Sequence, residues 1–297
     1  MAGTVLGMAA IDLATVHAVV FDTDGVVTDT ARVHAAAWKH VFDAFLRGRS
    51  APFDVRDDYL RHVDGRPRLD GVRTFLASRG ITLPEGSPGD GPDAATVHGL
   101  GAAKDALFVA EIGRHGVAAF PSTVALLHEL RRRGCRTAVV SASRHCRAMV
   151  ASAGLTHLFD VTVDGVEAAR LGLAGKPDPA LFLEAAGRLG TPAGRTAVVE
   201  DALPGVEAGR RGGFALVVGV DRSGERAAAL RAAGADAVVE DLAELSVTGR
   251  VPHAGTGDGE AAGTPVASGE QGGRTTVASG EQGGRTTVGS GEQGSRA

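Results

Sequence analysis

Four short stretches of this chain carry side chains that could do chemistry together. The first is Asp22-Thr23-Asp24-Gly25, reached from the apolar run Val19-Val20-Phe21. In an extended chain residues i and i+2 point the same way, so Asp22 and Asp24 can project together from a strand's end. Gly25 lets the backbone turn sharply behind them. Two carboxylates so placed suit one metal ion, or a nucleophile beside a general acid/base. Asp-x-Asp taken alone is more often a pair of loop or capping acids. The other stretches are Ser141 after Val139-Val140, Lys176-Pro177, and Glu200-Asp201 after Ala197-Val198-Val199. Each also has an ordinary reading: Lys176 as a surface lysine, Glu200-Asp201 as the cap of a helix opening near Pro204. Gly172 to Lys176 superficially suggests a P-loop but lacks its spacing and the Ser/Thr after the lysine.

Taken together, the four meet the demands of phosphoryl transfer. The migrating group spreads negative charge over its equatorial oxygens, so catalysis is mainly positioning and charge stabilisation. An aspartate attacking an anionic phosphate needs compensating cations, which Mg2+ on oxygen ligands and one lysine would supply. The Ser141 hydroxyl, with backbone N–H groups at the start of the following helix, can hold the remaining phosphate oxygens. An aspartyl phosphate divides the reaction into two easier steps. Asp24 would protonate the leaving oxygen and later deprotonate the incoming hydroxyl.

These residues need a frame that brings strand ends to one edge. His17 to Phe21 predicts a first strand, and Thr30 to Leu46 a helix with Val33, Ala37, Val41 and Phe45 every four residues. Thr30, His34 and Trp38 recur at the same interval on another face, where they either pack in a core or look into a cleft. From Phe53 to Gly116 the pattern is helical, broken by the turn-rich basic stretch His62 to Gly71 and the Gly/Pro-rich loop Pro84 to Pro92. After Pro121 helices and strands alternate: helix 122–133, strand 137–140, helix 144–153, an apolar stretch 159–163, helix 178–189, strand 196–199, helix 204–211, strand 214–220, helix 225–233 and strand 237–239. The fold class is therefore α/β, a parallel sheet covered on both faces with a helical lid inserted after its first strand. Ligands in such sheets gather beyond the carboxyl ends of the strands.

The bounds agree with this. The 297 residues, 43% hydrophobic, allow a sizeable core, and the net charge of -4 gives no sign of a nucleic-acid partner. Cys135 and Cys146 form no Cys-x-x-Cys motif and require no oxidising compartment. No signal peptide and no membrane-spanning run is read, so the expectation is a cytoplasmic protein with no membrane partner. Residues 251–297 repeat with a period of eleven, Val266 to Thr276 and then Val277 to Thr287, with three glycines per copy and almost nothing apolar. Such a repeat cannot bury a core and is expected to be a disordered tail.

The set Asp22-Thr-Asp24-Gly25, Ser141, Lys176-Pro177 and Glu200-Asp201, in this order, resembles the four motifs of the haloacid dehalogenase superfamily of aspartate-dependent phosphotransferases. Phe21 to Ala31, His34 and Trp38-Lys39 are similar to the β-phosphoglucomutase family within it; the likeness spans roughly Ala18 to Leu245. The resemblance implies a Rossmann-like core, residues 1–32 and 117–250, with a helical cap at 33–116. It implies Asp22 as nucleophile, Asp24 as acid/base, and Mg2+ on Asp22, Asp24 (through its carbonyl), Glu200 and Asp201. Gly65 and Arg68 match a cap loop in which an arginine grips the substrate's non-reacting phosphate. Lys104 matches a cap lysine facing the site with His34, and Trp38, Ala142 and Ser143 join the substrate-binding set. Arg144-His145 stands where the mutases tend to have Lys-Asn, placing His145 among the sugar or phosphate contacts. The implied partner is a small phosphorylated sugar bound by a monomer. The reaction would interconvert β-glucose 1-phosphate and glucose 6-phosphate, primed by glucose 1,6-bisphosphate. A sugar-phosphate phosphatase of the same superfamily and a non-enzymatic sugar-phosphate sensor are the alternatives.

Overall fold

A computed structural model describes residues 9–252. Six parallel strands make the main sheet: β2 (Ala18–Asp22), β3 (Arg136–Val140), β4 (Val161–Val163), β5 (Thr196–Glu200), β6 (Leu216–Val220) and β7 (Ala237–Val239), in spatial order β4-β3-β2-β5-β6-β7. The chain begins this sheet at its centre, runs out one way through β3 and β4, then returns to continue from β5. The crevice between β2 and β5 is thus the topological switch point, where α/β sheets bind ligands. Register does the rest. Asp22 pairs with Val140, so Ser141 follows immediately beside it, and Phe21 pairs with Val199, so Glu200 flanks it on the other side.

The strands read as continuous apolar runs because both faces are covered. Val19, Phe21, Val139 and Val199 point into one cluster with Leu127 and Leu130 of α4 (Pro121–Arg132) and Val150 of α5 (Cys146–Ser152). Val20, Ala138, Val140 and Val198 point into the other, with Phe182 of α7 (Ala180–Arg188) and Val206 of α8 (Leu203–Arg211). The sheet's remaining helices are α6 (Gly165–Leu171) and α9 (Ala227–Ala233). A separate two-stranded pair, β1 (Ala10–Asp12) with β8 (Ser246–Thr248), joins the ends of the described chain and was not foreseen.

Between β2 and α4 lie α1 (Ala31–Leu46), a π-helical turn at Tyr59–Val63, α2 (Arg68–Ser78) and α3 (Val97–His115). They share their own apolar cluster, built on Trp38, Phe42, Phe53, Phe75 and Leu76. The buried face of α1 is His34, Ala37, Trp38, Val41, Phe42 and Leu46. The every-four stripe therefore drifts: Val33 and Phe45 are only half-buried, because a 3.6-residue turn carries a strict interval of four off the face. In α4 the buried residues are Thr123, Leu126, Leu127 and Leu130, with Val124 half-buried beside them. Arg68 is not in a loop; it opens α2, with Pro67 before it and Asp70 in the first turn.

Two crossings join this helical insert to the sheet. They bridge at Thr28 and Ala119, with Phe120 N–H donating to the Val27 carbonyl at 3.1 Å. Arg222, just beyond β6, fastens both. Its Nε donates to the Gly25 carbonyl at 2.9 Å, and its guanidinium lies 3.5 Å over the Phe120 ring. The expected repeat tail lies, from residue 253 onward, outside the described residues.

Candidate active site

One cavity between the strand ends and the insert is lined by Asp22, Asp24, Ser141, Ala142, Ser143, Lys176 and Asp201 from the sheet side, and by His34, Trp38, Gly65, Arg68 and Lys104 from the insert. All twelve were singled out in the sequence. Glu200 lies beneath them, fully buried. His145 does not line the cavity but reaches it through Asp105.

At the centre, Lys176 Nζ sits between Asp22 Oδ1 (2.5 Å) and Glu200 Oε1 (2.7 Å) and is 3% exposed. It is an internal counter-ion, not a surface lysine. Asp22 Oδ2 accepts the Asp24 N–H at 3.0 Å, which fixes the turn between the two aspartates. Glu200 Oε2 accepts the N–H of Asp201 (2.7 Å) and of Ala202 (3.3 Å), so this acid ties the loop before α8 as well as the lysine. Two glycines make room. Gly25 has φ +82°, and a Cβ there would collide with Asp201; a Cβ at Gly205 would collide with Glu200. Ser141 Oγ accepts the Ser143 N–H at 3.0 Å and lies 3.4 Å from Asp24 Oδ2. The hydroxyl thus holds its own loop while facing the second aspartate.

Asp24 is served by Thr30, just before the insert, and by His34 within it. Thr30 Oγ1 donates to Asp24 Oδ1, and His34 Nε2 lies 3.3 Å from the same oxygen. Lys104 Nζ is 2.6 Å from His34 Nδ1, and the His34 ring stacks on Phe108 with centroids 4.0 Å apart. A lysine donates only, so His34 Nδ1 accepts and the ring carries its proton on Nε2, toward Asp24. Nε2 is buried and has no hydrogen-bond partner. Arg68 Nη1 pairs with Asp105 Oδ2 at 2.6 Å, and His145 Nε2 is 3.0 Å from Asp105 Oδ1.

Sequence reasoning missed several neighbours. Tyr59, Asp64, Arg66 and Asp105 also line the cavity, and Asp64 Oδ2 is 3.6 Å from Arg226 Nη1 across the insert–sheet junction. Asp64 and Arg66 flank Gly65 inside a stretch that reads as an ordinary basic turn. Asp105 is a lone acid on a helix, which carries no signal of its own.

The family model for haloacid dehalogenase-like hydrolases matches residues 16–213. The chain belongs to this family. A β-phosphoglucomutase from Mycobacterium bovis is 46% identical over 239 residues, covering 77% of this chain and 91% of that protein. A trehalose-phosphate phosphatase from Mycobacterium leprae is 40% identical over 130 residues, 42% of this chain and 28% of that protein. Among solved structures, a HAD family hydrolase from Deinococcus radiodurans with bound phosphate and sodium is 29% identical with a TM-score of 0.55, covering 78% of this chain and 93% of that one. The resemblance read from the four motifs is borne out, and membership of an enzyme superfamily sets the non-enzymatic sensor aside. Among the described residues no helix is long and apolar enough to cross a membrane.

The electrostatics of this haloacid dehalogenase-like enzyme divide its two aspartates. Burial pushes Asp22 well above the usual carboxylate range, and Glu200 adds to this while Lys176 opposes it. Asp201 is pushed up in the same way, by burial and then by Asp64, Glu200 and Asp22. Asp24 is also buried, but His34, Thr30 and Lys104 overcome that and hold it down at about 2. Thr30, with His34 and Lys104 of the insert, therefore keeps Asp24 ionised. Burial lowers Lys104 to about 8, and lowers His34 as well. Asp22, Glu200 and Asp201 each offer an oxygen, all within 4.8 Å of one another. With one lysine against three buried carboxylates, the donor set is all oxygen and short of positive charge. That is the chemistry a hard divalent cation fits.

Proposed function

We propose that this enzyme is a β-phosphoglucomutase, converting β-glucose 1-phosphate to glucose 6-phosphate through an aspartyl phosphate on Asp22. The observation that carries the reading is the cavity's two-sided charge. Nucleophile, acid/base and Lys176 stand on the sheet side, while Arg66, Arg68 and Lys104 face them from the insert. A substrate with an anionic group at each end is what such a cavity recognises. The M. bovis relative at 46% identity carries that name.

Asp22, Glu200 and Asp201, with the Asp24 carbonyl, would hold Mg2+, which supplies charge neutralisation and orientation for the transferring group. Lys176 orients Asp22 and offsets charge as the carboxylate meets an anionic phosphate. Asp24, ionised in this state, takes the proton of the sugar hydroxyl that attacks the phosphoenzyme; the proton so gained serves the next leaving oxygen. His34, tethered by Lys104, brings the insert to within 3.3 Å of Asp24, so the acid/base is held from both sides of the cavity. Residues 33–116 act as a cap on the core formed by 1–32 and 117–250. Enclosure by this cap favours reorientation of the bisphosphate over loss of phosphate to water.

A coupled assay for glucose 6-phosphate tests the proposal, with β-glucose 1-phosphate as substrate, glucose 1,6-bisphosphate as primer, and inorganic phosphate measured alongside. Asp22→Asn is expected to abolish turnover in it. Release of phosphate without glucose 6-phosphate overturns the mutase reading. That outcome would favour a sugar-phosphate phosphatase, a reading supported by the likeness to trehalose-phosphate phosphatase and by Arg144 at the cavity with His145 behind Asp105.

A further inference from the structure

Helix α3 sends two consecutive side chains into the cavity, and they do different things. Lys104 goes to His34. Asp105 uses both of its oxygens, Oδ2 on Arg68 Nη1 at 2.6 Å and Oδ1 on His145 Nε2 at 3.0 Å. Arg68 belongs to the insert and opens α2, whereas His145 precedes α5 on the sheet side. One carboxylate therefore ties the insert's side of the cavity to a sheet-side residue behind it. The ion pairs of Arg68 among the described residues end there, and its Nε is buried with no partner. Asp105 is held down at about 2 by His145 and Arg68 although partial burial opposes this, so it is an anion throughout the working range.

A guanidinium receives phosphate through the same planar fork that receives a carboxylate. An anion arriving at Arg68 meets a guanidinium already engaged through Nη1. We propose that Asp105 is a specificity-determining residue, an internal anion that competes with the substrate's second anionic group for Arg68 and His145. A dianionic phosphate displaces it. A neutral or singly charged group in the same place does not, because it offers Arg68 no more than Asp105 already gives. Asp105 thereby sets a threshold of charge for the far end of the substrate. This inference rests on the phosphorylated-sugar reading above and adds to it a residue that selects by opposing binding.

The test is calorimetric, in an Asp22→Asn background with Mg2+ present, so that glucose 1,6-bisphosphate binds without reacting. Adding Asp105→Asn is expected to tighten binding of the bisphosphate about fivefold, the scale of one partly exposed ion pair. Asp105→Glu, which keeps the charge, is expected to stay within about twofold of the parent on the same scale. Unchanged or weaker binding in Asp105→Asn, with the parent binding normally, overturns the role of Asp105 alone. Weaker binding in both variants together with lower melting temperatures would mark a purely structural tie and also overturns it. Failure of the parent to bind the bisphosphate overturns the phosphorylated-sugar reading and this inference with it.

Discussion

Replacing Lys176 by methionine removes the cation from a buried charge cluster while nearly keeping side-chain length. Lys176 Nζ bridges Asp22 Oδ1 at 2.5 Å and Glu200 Oε1 at 2.7 Å, at a site 3% exposed. Without it two buried carboxylates face each other unpaired. Breaking a buried pair by removing one partner costs about 3–5 kcal/mol. At roughly 2–4 °C per kcal/mol for a domain of this size, the melting temperature should fall by about 6–20 °C. The sign with pH follows from the carboxylates. Asp22 already binds its proton more tightly folded than unfolded, through burial and Glu200, and losing Lys176 raises it further. A group raised in this way contributes stability below its unfolded value and loses it as pH rises through the folded one. The variant's deficit should therefore be small near pH 4, grow toward pH 8, and shrink on adding Mg2+. Urea unfolding of both proteins at pH 4.5 and 8, with and without Mg2+, measures this. A deficit under about 1 kcal/mol at pH 8 without Mg2+, or one independent of pH, would refute the idea that Lys176 is the counter-ion on which the cluster depends.

Other expectations concern the insert. Asp64 is raised to about 6 by burial, so its charge lowers stability as pH climbs from about 4 to 6; Asp64→Asn should gain about 1–3 kcal/mol at pH 7.5 and nothing near pH 3.5, read by urea unfolding. Lys104 is lowered to about 8, so the folded state should gain stability as pH rises from 8 to 10.5; Lys104→Met should flatten that slope and reduce kcat by loosening His34 from Asp24. Arg222→Met removes the bond to the Gly25 carbonyl and the contact with Phe120 and should cost about 1–3 kcal/mol; hydrogen exchange should then rise at residues 25–30 and 116–120.

The residues legible in the sequence are those tied to a strand end. Asp22, Ser141 and Glu200 each follow an apolar run, and parallel pairing in register leaves them nowhere else to be. His34 and Trp38 were legible through their four-residue interval, although the helix face they share proved continuous with the apolar one. Asp105 and Tyr59 were not, because their importance comes from partners brought by tertiary packing and not from local pattern. The pairing of β1 with β8 escaped because neither Ala10–Asp12 nor Ser246–Thr248 carries an apolar run, and their partnership comes from tertiary packing. Helix α6 did carry a signal: Asp164 caps it, accepting from Val166 N–H at 3.1 Å and Glu167 N–H at 2.9 Å, but none of its residues is buried, so no apolar stripe marks it.

The closeness of the insert to the sheet side at Gly175 has a consequence for engineering. A Cβ at Gly175 would collide with the Pro67 ring, and one at Gly65 would stand 3.0 Å from the Ala202 methyl. Neither glycine carries a functional group. A single added methyl at 175 would nonetheless act as a doorstop, holding the cavity ajar by about the width of one carbon while leaving every charged side chain chemically unaltered. If the proposed aspartyl-phosphate route holds, such a protein should pass more of its phosphoryl group to water. The partition between sugar and solvent would thus be adjustable from a position with no chemistry of its own.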